Sequence, residues 1–300
     1  MDEPIGMPAG DACQCIEDHP RPPLVALEEM LIPDRVTVFS EDPQARALFA
    51  GLGMGNASLV VGNGGADGRR RVLGELALAP ADAVFMEQVH GSGVARVGHH
   101  DRGRGAADQA SAVPEVDALV TTDADVALVV LTADCVPVLL LDPGKGVAAA
   151  HAGRRGVQTN VTGAAVKALT EATGSPPVHF RALIGPAISG CCYEVPAALA
   201  DEVANTEPVA RAVTSWGTPS LNLPVAVQAQ LYAAGVRRIA RAHACTRCQP
   251  DRWFSYRAAC QLPGTPPGRN AAVICRLGTV KPKEYARRQD RRASLHRMER

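Results

Sequence analysis

Three residues suited to metal binding or to acid–base and nucleophilic work each follow directly on an apolar run. They are His90 in Glu87-Gln88-Val89-His90-Gly91, Cys135 in Thr132-Ala133-Asp134-Cys135, and His151 in His151-Ala152-Gly153. Two imidazoles and one thiolate suit Zn²⁺, and three protein ligands leave the fourth tetrahedral position for water or substrate. Such an ion lowers the pKa of bound water to about 7. Copper also fits, since it binds N/S sites more tightly still. The spacing alone is unspecific, because the compact CxxC or HExxH periodicity of a metal motif is missing, and a lone Cys or His at a strand end is ordinarily structural. Glycine directly after His90 and two residues after His151 favours a site, by leaving room for another group to approach the imidazoles.

Asp134 places a carboxylate between two intensely apolar stretches, which is costly unless it is paired or hydrogen-bonded. It orients an imidazole or acts as an acid/base, or it caps a turn; both alternatives stay open. Cys245-Thr246-Arg247-Cys248 is a single CxxC. A zinc finger needs a second pair, which does not follow it, and a thioredoxin-type dithiol needs a βαβ context, so reduced structural thiols are expected. Cys191-Cys192-Tyr193-Glu194 follows a Gly/Pro/Ser-rich loop and is placed to line a pocket, although vicinal cysteines make poor bidentate ligands. Arg155, near the start of an expected helix, and Arg257, in Trp253-Phe254-Ser255-Tyr256-Arg257, are candidates for an anionic substrate. Surface salt bridges are the alternative for both. Cys260 and Cys275 read as small core residues, and Cys13 and Cys15 as an incidental, solvent-facing pair.

The elements that must position these groups are clearest in the middle of the chain. Ala118 to Thr121, Val126 to Leu131, Val136 to Leu141 and Val147 to His151 are β-branched or leucine-rich runs separated by turn residues such as Asp142-Pro143-Gly144, which predicts a hairpin or meander of buried strands. Gly156 to Thr173 predicts one helix with Val157, Val161, Ala164, Ala165 and Leu169 on a stripe, stopped by Gly174. Further helices are expected over Pro196 to Asn205 and Pro224 to Ala234, each with proline in its first turn, and a short one over Arg69 to Leu78. Strands are expected at Ser58 to Val61, Ala83 to Val89, Val178 to Ile184, Val236 to Ala240 and Ala271 to Leu277. The glycine-rich stretch from Gly51 to Gly68 contains no phosphate-binding GxxxxGK[ST] and reads as loops. Residues 99–115 read as an exposed loop with His99 and His100 solvated. Consecutive strands, rather than strict strand–helix alternation, favour α+β.

Composition excludes several classes. The 300 residues carry no formal net charge, and only 4% are aromatic, so neither a basic field nor a stacking surface argues for nucleic acid. The longest apolar stretch, Val126 to Leu141, is interrupted by Asp134 and Pro137 and falls short of the roughly 20 residues needed to cross a bilayer. Neither a basic n-region nor an apolar h-region opens the sequence, so a cytoplasmic protein with its nine cysteines reduced is expected. Residues 1–33 read as a poorly ordered leader, 34–280 as one catalytic domain, and 281–300, with eight Lys/Arg against three acids, as a basic tail.

Taken jointly, the segments resemble a known family. Met86-Glu87-Gln88-Val89-His90-Gly91, Thr132-Ala133-Asp134-Cys135-Val136-Pro137-Val138, His151-Ala152-Gly153-Arg154-Arg155-Gly156, Gly185-Pro186-Ala187-Ile188 with Cys191-Cys192-Tyr193-Glu194, and Cys245-Thr246-Arg247-Cys248 with Phe254-Ser255-Tyr256-Arg257 stand in the order found in the laccase-domain family, also called multicopper polyphenol oxidoreductase, peptidoglycan editing factor or purine nucleoside phosphorylase. The resemblance spans roughly residues 50 to 280. It implies a single α+β domain of two packed mixed β-sheets flanked by helices. It also implies a zinc site on His90, Cys135 and His151, and a catalytic set of these three with Asp134. Gln88, Arg155, Tyr193, Ser255 and Arg257 would contact substrate. The activities implied are phosphorolysis of adenosine, inosine, guanosine and methylthioadenosine, and adenosine deamination, in which zinc would activate water against the purine carbon bearing the amine. The partners implied are a purine nucleoside and phosphate, with no nucleic acid and no membrane. The oxidase name fits less well, since a multicopper oxidase needs many His-x-His pairs and this chain has eight histidines and no such pair.

The sequence departs from the family pattern at several points. The family's Arg-x-Gly-Gly-x-Ser, Ser-Leu-Asn and His-Val-Gly-Asp stretches are replaced by Gly51 to Asn63, without their arginine, asparagine and histidine. The tryptophan expected after His-Ala-Gly is Arg154, and the second arginine after Ser-Tyr-Arg is Ala258. A preserved centre in an altered pocket is expected. Two other functions remain open. One is a metal-independent cysteine hydrolase or amidase acting on peptidoglycan precursors, with Cys135 as nucleophile and His151 as base; the other is a non-catalytic nucleotide-binding homologue.

Overall fold

A computed structural model describes residues 42–278 together with the backbone of Thr37–Val38; the expected leader, its cysteines and the basic tail lie outside the described residues. Two mixed sheets dominate. The first runs β1 (Thr37–Val38), β2 (Ala45–Ala50), β13 (Asn270–Arg276), β6 (Ala127–Thr132), β3 (Ala83–Phe85). The second runs β12 (Arg238–Arg241), β9 (Arg181–Ile184), β7 (Val136–Asp142), β8 (Gly146–Ala152), β5 (Ala118–Thr121), β4 (Val94–Arg96). A two-stranded ribbon, β10 (Arg211–Val213) and β11 (Pro219–Leu221), stands apart. The helices are α1 (Gly65–Glu75), α2 (Arg154–Gln158), α3 (Val161–Thr173), α4 (Ala197–Thr206), α5 (Leu223–Ala233) and α6 (Tyr256–Gln261). Among the described residues, no helix is long and apolar enough to cross a membrane.

The period-2 geometry of strands explains why the apolar runs are continuous rather than alternating. Leu128 and Val130 of β6 meet Leu139 and Leu141 of β7, Val147 and Ala149 of β8, Leu119 of β5 and Leu183 of β9 in the layer between the sheets. The alternate residues of the first sheet, Ala127 and Val129, face Val72 and Leu73 of α1 and Leu76 just after it. Those of the second, Val138 and Leu140, face Val161, Ala165 and Leu169 of α3 with residues of α4 and α5. Every strand near the middle is thus covered on both faces, in the order helix, sheet, sheet, helix. Each fully buried leucine contributes about 1.5–3 kcal/mol, and Leu139→Ala, at the centre of the inter-sheet layer, is the kind of change that costs about 2–5 kcal/mol.

Several expectations need correction. The four central runs do not form one meander. β7 and β8 are a hairpin closed at Asp142–Gly146, and β8 pairs with β5, but β6 belongs to the other sheet. The Gly156–Thr173 helix is two helices, because Asn160 takes a left-handed backbone (φ 56°) and caps α3 by accepting the amide of Gly163; Gly174 ends α3 in the left-handed region, as expected. Ser58–Val61 is not a strand. The Asn56 amide accepts from the Ser58 N–H and donates to the carbonyls of Ser58, Val61 and Asn63, which coils the segment into a loop. The strand from Ala83 stops at Phe85, short of Val89. Cys275 is buried, but Cys260 is exposed and is not a core residue.

Candidate metal centre

The crossing from one sheet to the other delivers the site. Between β6 and β7 the chain leaves the first sheet and enters the second, and Cys135 sits in that crossing, directly before β7. The β7–β8 register places Pro137 opposite His151, so the end of β8 brings an imidazole beside the thiol. His90 arrives from the loop after β3 in a left-handed conformation (φ 62°). The result is one ligand atom from each of His90, Cys135 and His151, all within 4.8 Å of one another, with His151 buried, Cys135 half-buried and His90 exposed. The two rings meet edge to face at 4.8 Å between centroids.

A residue that sequence reasoning missed organises this set. Asp117 immediately precedes β5, whose antiparallel pairing with β8 puts it beside His151. Its fully buried carboxylate accepts from His151 Nδ1 at 2.7 Å and from the backbone N–H groups of Val89, His90 and Gly91 at 3.2, 3.0 and 2.7 Å. One side chain therefore fixes the unusual turn at His90 and the tautomer of His151, leaving Nε2 of His151 for Cys135 or a metal. Burial opposes ionisation of Asp117, but His151 and the backbone donors outweigh it and hold the carboxyl below its usual range. Burial also works to raise the Cys135 thiol, yet His151 and His90 beside it bring it down to about 6. His151 is opposed by burial too, and the Cys135 thiolate and Asp117 raise it to about 9. Without a metal, the two form a thiolate–imidazolium pair.

Gly153 makes the space. A Cβ there would lie 2.7 Å from Cδ2 of His90 and 3.1 Å from the Cys135 sulfur, so any side chain would intrude between the ligands. Gly91 has a different role from the expected one: a Cβ there would meet only ordinary contacts at 3.6 Å or more, and what matters is its N–H to Asp117.

Asp134 does not orient an imidazole. Its carboxylate accepts from the Thr246 hydroxyl at 2.5 Å and from the Arg257 N–H, in the first turn of α6, at 2.8 Å, so it ties the sheet crossing to a distant segment. Burial raises its pKa against the opposing hydrogen bonds of Ser255, Thr246 and Arg257. Ser255 is buried, and its hydroxyl caps α6 by accepting from the Ala258 N–H at 3.0 Å. The Gln88 amide donates to the Leu131 carbonyl at 2.7 Å and accepts the Leu131 N–H at 2.9 Å, extending the pairing along β6. Arg155 is exposed on α2, a helix of only 5 residues, whereas its neighbour Arg154 is half-buried and acts electrostatically on Tyr193. Arg257 lies 5.4 Å above the Tyr193 ring and donates to the Glu194 carbonyl. Tyr193, Arg154 and Arg257 are thus grouped near Cys135, whose charge also reaches Tyr193.

The CxxC cysteines are reduced thiols, as expected, but they do not stand as an isolated pair. Cys191 and Cys192 meet Cys245 and Cys248, so the second cysteine pair that the CxxC lacked downstream is supplied from upstream by the fold.

Comparison with known proteins agrees with this architecture. A Streptomyces coelicolor protein named purine nucleoside phosphorylase is 50% identical over 183 residues, covering 61% of this chain and 72% of that protein. A Mycobacterium bovis protein of the same name is 40% identical over 207 residues, 69% of this chain and 77% of its own length. The crystal structure of YlmD from Geobacillus stearothermophilus superposes with a TM-score of 0.71 at 34% identity, covering 80% of this chain and 94% of that one. Residues 45–277 match the family described as multi-copper polyphenol oxidoreductase laccase, and the chain belongs to that family.

Proposed function

We propose that this protein is a purine nucleoside phosphorylase built around one metal ion held by His90, Cys135 and His151. The observation that carries the reading is the convergence of these three ligand atoms around the space Gly153 leaves, with Asp117 fixing both histidines; the names of the relatives supply the reaction class. The donor set fits zinc, which takes mixed N/S ligands and retains an open position in catalytic sites; copper is the alternative ion. When bound, such an ion supplies Lewis-acid polarisation of an oxygen at the open position.

The remaining work belongs to the chain itself. In phosphorolysis a phosphate oxygen bonds to the anomeric carbon of the sugar while the carbon–nitrogen bond to the purine breaks, the bond electrons leaving with the base. Arg257 and Arg154 flank Tyr193 and would hold the phosphate dianion by charge and hydrogen bonds. Arg154 stands where the family resemblance leads one to expect tryptophan, which would put a cation in place of an aromatic at this wall. The Tyr193 ring offers a face for the purine. Incubating the purified protein with inosine or adenosine and phosphate should release free base and pentose 1-phosphate in equal amounts; conversion of adenosine to inosine and ammonia would add the deaminase activity. Absence of both free base and inosine, with metal-replete protein, would overturn the proposal.

A second reading is favoured by one specific alignment. Asp117, His151 and Cys135 stand in the order orienter, base, nucleophile, which is the arrangement of a cysteine hydrolase or amidase. Elemental analysis separates the two. Stoichiometric metal lost in Cys135→Ala supports the phosphorylase; metal-free, active protein inactivated by alkylation at Cys135 supports the hydrolase.

A further inference from the structure

A second group of metal-type ligands lies across Asp134 from the centre described above. The vicinal pair Cys191-Cys192 and the pair Cys245/Cys248 converge so that all four sulfurs lie within 4.8 Å of one another. Cys191 is 3.7 Å from Cys192 and 3.6 Å from Cys248, and Cys192 is 3.3 Å from Cys248. A zinc–sulfur bond of about 2.3 Å in a regular tetrahedron requires sulfurs roughly 3.8 Å apart, and these separations come close to that edge before any ion draws the ligands in. The vicinal cysteines point the same way because the chain turns beneath them: the amides of Cys192 and Tyr193 both donate to the Ser189 carbonyl at 3.0 Å.

Buried cysteines can pack merely as small apolar groups, and Ile188 does pack against Cys192 and Cys245. Two features distinguish this cluster from such packing. The guanidinium of Arg247 reaches to 3.6 Å from the Cys192 sulfur, and the Ser189 N–H points at the Cys245 sulfur at 3.5 Å. A cation and an amide aimed at sulfur are the partners that thiolates call for: four thiolates around a divalent ion carry a net charge of −2, which Arg247 partly offsets. Backbone pairing also joins the two cysteine-bearing segments: Ala187 bridges Cys245, its N–H donates to the Ala244 carbonyl at 3.3 Å, and the Thr246 N–H donates to the Ala187 carbonyl at 3.1 Å.

We propose that Cys191, Cys192, Cys245 and Cys248 form a closed, four-thiolate site for one zinc-type divalent cation, which locks the loop carrying Tyr193 onto the segment carrying Arg257. Binding replaces the thiol protons with the ion, leaving no coordination position open. Its role is to hold Tyr193 and Arg257, through Asp134, in register with Cys135. The inference does not depend on the phosphorylase reading.

The full chain, purified without chelator and under reducing conditions, should hold two metal ions per chain by elemental analysis. Cys135→Ala should retain one and Cys248→Ser should retain one. Reconstituted with Co²⁺, Cys135→Ala should keep the strong sulfur-to-cobalt charge-transfer band of a multi-thiolate site, and Cys191→Ser/Cys248→Ser should lose it. Should those cysteine variants fail to fold, wild-type protein still decides: stepwise titration with an organomercurial should release the second ion together with four thiol equivalents. A single ion per chain with these four thiols freely alkylated, or peptide mapping that finds a disulfide among them, would overturn the proposal.

Discussion

The His90–Cys135–His151 centre, which joins two loop residues to the end of β8, and the four-cysteine cluster differ in composition and cover. The first mixes nitrogen and sulfur, has three ligands and keeps His90 exposed at its mouth. The second has sulfur alone, four ligands, and two of them buried. A site short of one ligand is a place for chemistry, and a site with all four is a brace. Asp134 joins them: it precedes Cys135 in sequence and accepts from Thr246 and Arg257 on the other side. The same pair of regions also shows two ways of handling buried sulfur, one against imidazolium and one against a guanidinium and an amide.

The largest effect that would break this contrast is at the open centre. His151→Ala should reduce phosphorolysis to background and release one equivalent of metal, with a fall in Tm because the buried Asp117 carboxylate loses its imidazole; retained activity with metal still bound would reverse the assigned roles. Asp117→Asn should cost roughly 10–100-fold in metal affinity or activity, measured by chelator competition and by kcat. Gly153→Ala comes next. The added methyl must displace His90 or Cys135, so metal affinity should fall while the circular dichroism spectrum is unchanged. Asp134→Ala should lower stability by about 1–3 kcal/mol through unpaired hydrogen-bond partners, visible in denaturant unfolding, and should raise KM through Arg257. Smallest is Arg155→Gln, which should leave KM for phosphate unchanged, whereas Arg154→Gln should raise it.

A pH experiment sharpens the same comparison. In metal-free protein the Cys135 thiol is lowered to about 6 from 9.0, so its contribution to stability is present above 9 and fades as pH falls through 6. His151 is raised to about 9 from 6.5, so its contribution is present below 6.5 and is lost as pH rises through 9. Between those limits the two slopes have opposite signs and nearly cancel, giving a flat stability profile over that window. The thiolate is read better by reactivity. Alkylation of Cys135 should show an inflection near pH 6, moved upward in His151→Gln, and added zinc should protect.

Much of the scaffold was legible in the residues. The runs that became β5, β6, β7 and β8 announce themselves because strands buried on both faces must be apolar throughout, and the stops at Asp142-Pro143-Gly144 and Gly174 follow from local backbone preference. The three ligands stood out by type, and their joint order with the flanking motifs marked the family. Short edge strands such as β4 and β10 carry too few residues to show a pattern. The division of the four central runs between two sheets depends on contacts distant in sequence.

What the sequence by itself determined, then, is which residues are apolar, which can ligate and where the chain must turn, because these are properties of side chains and of neighbouring peptide units. Tertiary structure alone decided the rest. The pairing of β5 with β8 put Asp117 on His151 and took the orienting role from Asp134; the sheet crossing sent Asp134 to Thr246; and folding of the 185–194 loop gave Cys245 and Cys248 their partners. Each of these joins groups tens of residues apart, and no local preference encodes such a meeting: it exists only once the strand register has fixed which side chains lie opposite one another.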